Sequence, residues 1–331
     1  MADKLSSTLA QRPRQSRAVR LIAVGLAVVL LVLAFRHVDW DEMLHIFQKA
    51  RLEYLLMAFL MMMLSYFFRG LRWRVLLSAQ QYIHPIAAYW AVCAGYLGNY
   101  FLPARAGELI RSVLINQRTG ISISFALATI LTERIFDAAL LVIIVLVLLP
   151  TVGNLPPELT TAMNIMTVFS VISVIGLFLA AYFQQATIRL FEKLPIPAQL
   201  EESAHNMLNT FFEGLKAFQN KRRAVQLVVL TGIIWTLDVI LGIWVANALN
   251  LPLGAKEVLF LLAALGLSSA IPSTPGYIGV YHFVTVSVLG IFGLNESQAL
   301  SFIIAFQGIT YLLVIIWGTT GIWRLSAKSP S

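Results

Sequence analysis

Apolar runs recur along the chain at 21–35, 54–68, 86–102, 122–149, 160–183, 224–249, 258–271, 277–292 and 300–322, with polar segments between them. Most approach the roughly 20 residues that a helix needs to cross a hydrocarbon core about 30 Å thick. Backbone in lipid must satisfy its own hydrogen bonds, which restricts spanning segments to helices and closed barrels. Barrel strands alternate apolar and polar positions; these runs do not, so they predict helices. Two of the runs, 86–102 and 258–271, are rich in small residues and lead into Pro/Gly segments. The pattern predicts an all-α integral membrane protein: a polytopic helical bundle of about six full spans plus two re-entrant, Pro/Gly-broken helical hairpins.

The two broken segments resemble each other. Residues 94–103 align without gaps with 263–272, and both continue as Pro-x-x-x-Gly, ending at Gly107 and Gly276. Each is preceded and followed by a long apolar span, as expected of discontinuous helices in inverted repeats. The reading divides one transmembrane domain, 1–331, into a basic cytoplasmic N-terminus (1–20), a first repeat (54–149), a cytoplasmic amphipathic segment (184–223) and a second repeat (224–322). Ordinary loops between full spans are the alternative for the two tips. Within 184–223, Leu200, Ala204, Met207, Leu208, Phe211, Leu215 and Phe218 recur at helical steps. They suit either a helix lying on the inner membrane surface or a connector packed on the bundle.

Composition sharpens the class. Of the 331 residues 59% are apolar and 12% charged, against about 25% charged in soluble domains. The net charge of +8 is explained by topology and not by nucleic acid: with two re-entrant hairpins, nineteen of the 24 basic residues fall on the side of the N-terminus. Both termini are then cytoplasmic in a multi-pass cell-membrane protein. Arg69, Arg72 and Arg74 read as part of this topological signal. The lone Cys93 reads as inert packing, and no metal, P-loop or nucleophile-elbow motif is visible. No cofactor is expected.

Intramembrane charge is costly, about 2.5–3.5 kcal/mol per residue on insertion scales, so such residues face the interior and find partners. Glu133, Arg134 and Asp137 lie inside 122–149, and Asp238 inside 224–249. One reading is a structural ion-pair network joining Arg134 to Asp137 or Asp238. The other is a polar site where Arg134 meets an anionic group. Arg105 and Arg111 flank the first tip and either fork a phosphate or mark topology. Glu108 stands beside Arg105. Asn99 in the first hairpin corresponds to the hydroxyls of Ser268, Ser269, Ser273 and Thr274 in the second. The tips themselves, Pro103 to Gly107 and Pro272-Ser273-Thr274-Pro275-Gly276, are candidates for a gate or binding seam. Of the histidines, His282 alone follows a tip.

Taken together, Arg69-Gly-Leu-Arg72-Trp73 with Leu76-Leu77, Gly98 through Pro103 to Gly107-Glu108 and Arg111, Glu133-Arg134-x-x-Asp137, and Pro272-Ser-Thr-Pro-Gly276-x-x-Gly279 resemble the transmembrane flippase-like domain of lysylphosphatidylglycerol synthases. The resemblance covers about residues 20 to 325. It implies a bundle with re-entrant elements that moves a lipid between leaflets. The soluble synthase domain of bifunctional members is expected to be absent, so lysyl transfer is not carried over. The expected function is translocation, flippase- or scramblase-like, of an anionic or polar-headed phospholipid or lipid-linked intermediate. Membrane lipids are the expected partners. A non-catalytic partner of a lipid-modifying transferase and a membrane-embedded transferase using Glu108 are the alternatives.

Overall fold

The computed structural model describes residues 29–102, 106–151, 220–269 and 275–326, with isolated positions elsewhere. The expectations for 160–183, for the amphipathic segment and for Pro103, Arg105, Pro272, Ser273 and Thr274 lie outside these residues. Residues 29–35 are helical and lead into a short amphipathic helix, α1 (Trp40–Gln48). The Asp39 side chain starts α1 by accepting from the Asp41 and Glu42 N–H groups, as an N-cap residue does. Long helices follow: α2 (Leu52–Leu77) of 26 residues and, beyond two shorter ones, α5 (Ile123–Leu148), also of 26. The shorter pair, α3 (Pro85–Phe101) and α4 (Ala106–Thr119), forms a hairpin. In the second half come α6 (Lys221–Ala248), α7 (Ala255–Ser268), a 3-10 turn (Pro275–Tyr277), α8 (Val280–Ile291) and α9 (Glu296–Ser326).

Three helices, α2, α6 and α9, are long and apolar enough to cross a membrane. At 1.5 Å per residue they extend about 39, 42 and 46 Å. α5 matches α2 in length but carries three charges at mid-length. α3, α4, α7 and α8 reach only about 18–26 Å, short of a full crossing. The described residues are all-helical, and the chain is a polytopic membrane protein.

Helix order repeats. A shift of 169 carries Leu52, the start of α2, onto Lys221, the start of α6, and likewise moves α3, α4 and α5 onto α7, the turn with α8, and α9. Packing follows the same correspondence. α2 lies on α6; α3 packs on α9 as α7 packs on α5; α4 joins α3 and α5 as α8 joins α7 and α9. Along the α2–α6 seam, Arg51 meets Ala248, Ser65 meets Asp238, Arg72 meets Thr231 and Ser78 meets Arg223, so the two helices run antiparallel.

Close backbone approach closes the first hairpin. A Cβ on Gly107 would collide with the Gly95 carbonyl and with Asn99, so only glycine fits there. Hydroxyls within the helices are absorbed locally: Thr132 donates to the Ala128 carbonyl at 2.9 Å and Thr310 to that of Phe306 at 2.9 Å. That is how a polar side chain survives in an apolar bundle.

Candidate functional site

The α2 helix does not end where its apolar run ends. It continues nine residues past Phe68, so Ser65, Arg69 and Arg72, spaced by four and three, form one stripe facing α5 and α6. Arg69 and Arg72 are therefore not merely topological, which corrects the reading from charge alone. Arg72 is only 4% exposed. The topological reading ended the span at the first arginine, whereas the carboxylates that hold these arginines come from helices 61 and more residues away.

Arg72 grips Asp137 on α5 with two parallel bonds, Nη1 to Oδ1 at 2.6 Å and Nη2 to Oδ2 at 2.9 Å. Its Nε lies 3.5 Å from Glu133, and Nη1 also donates to Thr231 at 3.2 Å. Arg69 bonds Asp238 at 2.5 Å and donates to the Tyr96 hydroxyl at 3.0 Å, while Ser65 donates to the other Asp238 oxygen at 2.6 Å. On α4, Arg111 is buried. Its Nη2 donates to Glu133 at 2.8 Å and its guanidinium lies 3.8 Å over the Trp73 ring. Trp73 is held in turn by its Nε1–H, which donates to Thr129 at 2.9 Å. Such charge-assisted, partly bidentate bonds are what make buried charge tolerable.

Arg134 is arranged differently. It pairs neither with Asp137 nor with Asp238, but donates through Nε to Glu108 at 3.2 Å. Its side chain is 37% exposed and that of Glu108 26%, the most open ion pair of this network. Glu133 and Asp137, on the same face of α5, both turn toward Arg72, whereas Arg134 lies on another face.

The arginines, Tyr96, Glu133 and Asp137 border a small polar cavity with about 10 Å³ of room for water-sized spheres. A second, equally small space adjoins it at Arg72 and Glu133 and is lined otherwise by Leu76, Thr132, Phe136, Leu227 and Thr231. The Nε–H groups of Arg69 and Arg111 are buried and carry no hydrogen bond. A buried donor of this kind calls for a water or a ligand oxygen.

Asn99 sits on α3 against Gly107, its Oδ1 buried and unbonded. At the second tip, Gly276 has φ +71°, its carbonyl accepts from Gln307 Nε2 at 3.0 Å, and it abuts the Tyr311 hydroxyl. Pro275 opens the same turn. Tyr100, at the end of the first hairpin's α3, stands 5.1 Å from the Tyr311 ring and 6.4 Å from the Tyr277 ring, so the second tip meets the first hairpin in an aromatic junction. His282 on α8 is buried beside Phe35 with Nδ1 unbonded, and it does not line the arginine-bordered cavity. Among the described residues, no group of three His, Cys, Asp or Glu is placed to hold a metal.

A bundle of long apolar helices around a buried arginine–carboxylate network defines a polytopic helical membrane protein with a polar interior site. The chain belongs to the family of the lysylphosphatidylglycerol synthase TM region, whose model matches residues 20–318. It is 26% identical over 354 residues to a protein of Haloferax volcanii named glycosyltransferase AglD, covering 97% of this chain and 57% of that one. The chain thus spans little more than half the length of that relative. Two further relatives are named UPF0104 membrane proteins. MJ1078 of Methanocaldococcus jannaschii is 25% identical over 225 residues, 66% of this chain and 90% of that one. PH1989 of Pyrococcus horikoshii is 22% identical over 305 residues, 85% and 89% of the two chains.

Proposed function

We propose that the protein translocates a lipid with an anionic or polar headgroup between membrane leaflets, the headgroup passing the Arg134 cavity while the acyl chains stay in the bilayer. The observation that carries this reading is Arg134: an arginine 37% exposed, bonded to Glu108 through one nitrogen, bordering a polar cavity inside an apolar bundle. A charge at this depth is held open to solvent only at a cost, which a headgroup phosphate repays. The apolar space adjoining the cavity at Arg72 suits the start of an acyl chain.

The helix correspondence supports two inverted repeats, 54–149 and 224–322, with α3–α4 and α7–α8 as paired hairpins. Alternating access follows if one repeat rocks against the other along the α2–α6 seam. The cavity as it stands has room for about one water, far below the roughly 300–1,000 Å³ of most ligand pockets, so admission of a headgroup requires the helices around it to move apart.

Orientation follows from charge. Arg74, Arg118, Arg222, Arg223 and Arg324 gather at one end, where Arg223 reaches the Ser78 carbonyl at 2.9 Å and Gln81 that of Thr119 at 2.7 Å. The opposite end carries Asp39, Asp41, Glu42, Glu257 and Glu296. The basic end is assigned to the cytoplasm, with both termini on that side.

The test is leaflet transfer of headgroup- and chain-labelled lipids in proteoliposomes, read by chemical quenching of the outer leaflet. Transfer accelerated by the protein and abolished in Arg134→Ala supports the reading. Undiminished transfer in that variant removes Arg134 from the mechanism.

A further inference from the structure

Every arginine of the network faces a carboxylate. Arg69 has Asp238, Arg72 has Asp137 and Glu133, Arg111 has Glu133, and Arg134 has Glu108. Among the described residues, four guanidinium groups stand against four carboxylates, so these pairs carry no net charge. An anion that entered with all four pairs intact would add an uncompensated negative charge to a low-dielectric interior.

One pair is built to yield. The Arg72–Asp137 bond is bidentate and deeply buried, and the Arg111–Glu133 bond is capped by the Trp73 ring. Arg134 and Glu108 share a single bond through Nε at 3.2 Å, and the guanidinium borders the cavity while Glu108 lies outside its lining. The terminal fork of Arg134 thus remains for a second acceptor. Glu108 is the third residue of α4, in the first turn, where the helix N-terminus carries partial positive charge. A carboxylate released there keeps a favourable partner.

On the reading that Arg134 receives the lipid headgroup, we infer that Glu108 is a built-in stand-in for the substrate anion. A phosphodiester binds Arg134 by displacing the Glu108 carboxylate, one negative charge exchanged for one. Glu108 thereby sets two properties. It keeps the empty site neutral, and it makes a singly charged phosphodiester the headgroup that leaves the network balanced. A carboxamide at position 108 removes the competing charge, so the exchange predicts tighter binding from loss of a native ion pair.

The test uses the full chain in phosphatidylcholine nanodiscs, titrated calorimetrically with dioctanoyl phosphatidylglycerol, and in parallel with soluble glycerophosphoglycerol, the same singly charged phosphodiester without acyl chains. Glu108→Gln is expected to tighten phosphatidylglycerol binding three- to five-fold, on the order of the worth of a partly exposed ion pair. Glu108→Ala should do the same if the amide variant assembles poorly. Arg134→Gln should weaken binding at least ten-fold, and the double variant should bind as weakly as Arg134→Gln. Unchanged or weaker binding in both Glu108 variants, with Arg134→Gln still defective, overturns the exchange and leaves the proposed site standing. No effect of Arg134→Gln on binding overturns the site itself. Glycerophosphoglycerol bound by Glu108→Gln as tightly as the lipid overturns the lipid headgroup as the source of the anion.

Discussion

Arg69 and Asp238 occupy corresponding positions of α2 and α6, 169 residues apart, and bond to each other at 2.5 Å across the antiparallel seam between the two halves. Both side chains are less than one-fifth exposed. A contact between equivalent positions of two antiparallel elements lies near the axis that relates them. This bond therefore fastens the halves at their centre, with Ser65 and Tyr96 completing its hydrogen bonds.

Removing one partner strands the other charge in the interior. Asp238→Ala should lower stability by about 3 kcal/mol, the lower end of the range for broken buried pairs. Replacing both, as Arg69→Met with Asp238→Leu, should recover most of the loss. Thermal unfolding in mild detergent checks both, and a double variant no better than Asp238→Ala refutes the pairing.

Two glycines should respond oppositely to alanine. At Gly107 the added methyl meets the Gly95 carbonyl and Asn99, so Gly107→Ala should prevent the first hairpin from closing and abolish transfer. At Gly232, in the exposed part of α6, a Cβ meets nothing within 4 Å. Gly232→Ala should raise stability by up to about 1 kcal/mol through helix propensity. Melting temperature and transfer rate measured on the same two variants separate the cases.

Arg111 is bound by geometry as well as charge. Lysine at 111 keeps the charge but loses the flat stack on Trp73. Arg111→Lys should therefore impair transfer nearly as much as Arg111→Ala. Thr129→Val, which strips the partner from the buried Trp73 Nε1–H, should cost about 1–3 kcal/mol. Transfer assays and unfolding of the three variants decide this.

The short helix α1 is expected to lie in the membrane interface. Its exposed Trp40 and Leu44 share one stripe with Gln48, and the exposed Asp41 and His45 lie beside it. The preceding backbone is fixed to the start of α9, with Asp39 N donating to Ser297 Oγ at 2.9 Å and Asn295 Nδ2 to Glu42 at 2.9 Å. Trp40 fluorescence, taken as the difference between wild type and Trp40→Phe, should be quenched by lipids brominated near the headgroup. Quenching only by bromines at the chain ends refutes the interfacial position.

Much of the architecture is written in local pattern. Glu133 and Asp137 are four apart in an apolar run, so a shared inward face follows from the helical period alone, and both do face Arg72. The positions of α3 and α7 likewise follow from small-residue runs ended by Pro and Gly. Arg69 and Arg72 were not legible in the same way. An arginine at the end of an apolar run looks the same whether it snorkels to the surface or turns inward. The signal that does exist is the i, i+4, i+7 stripe with Ser65 and the match of position 69 to Asp238 in the repeat.

The sequence by itself determined the class, the helical character of the described segments and the presence of buried charge, because hydropathy and helical periodicity act over a few turns. Only the tertiary structure decided which charges meet. Arg134 turned to Glu108 and not to its neighbour Asp137, since Arg72 from another helix already held that carboxylate with two bonds. Pairing among eight ionised groups depends on which helices lie side by side, and that is set by glycine contacts and antiparallel packing between segments far apart in the chain.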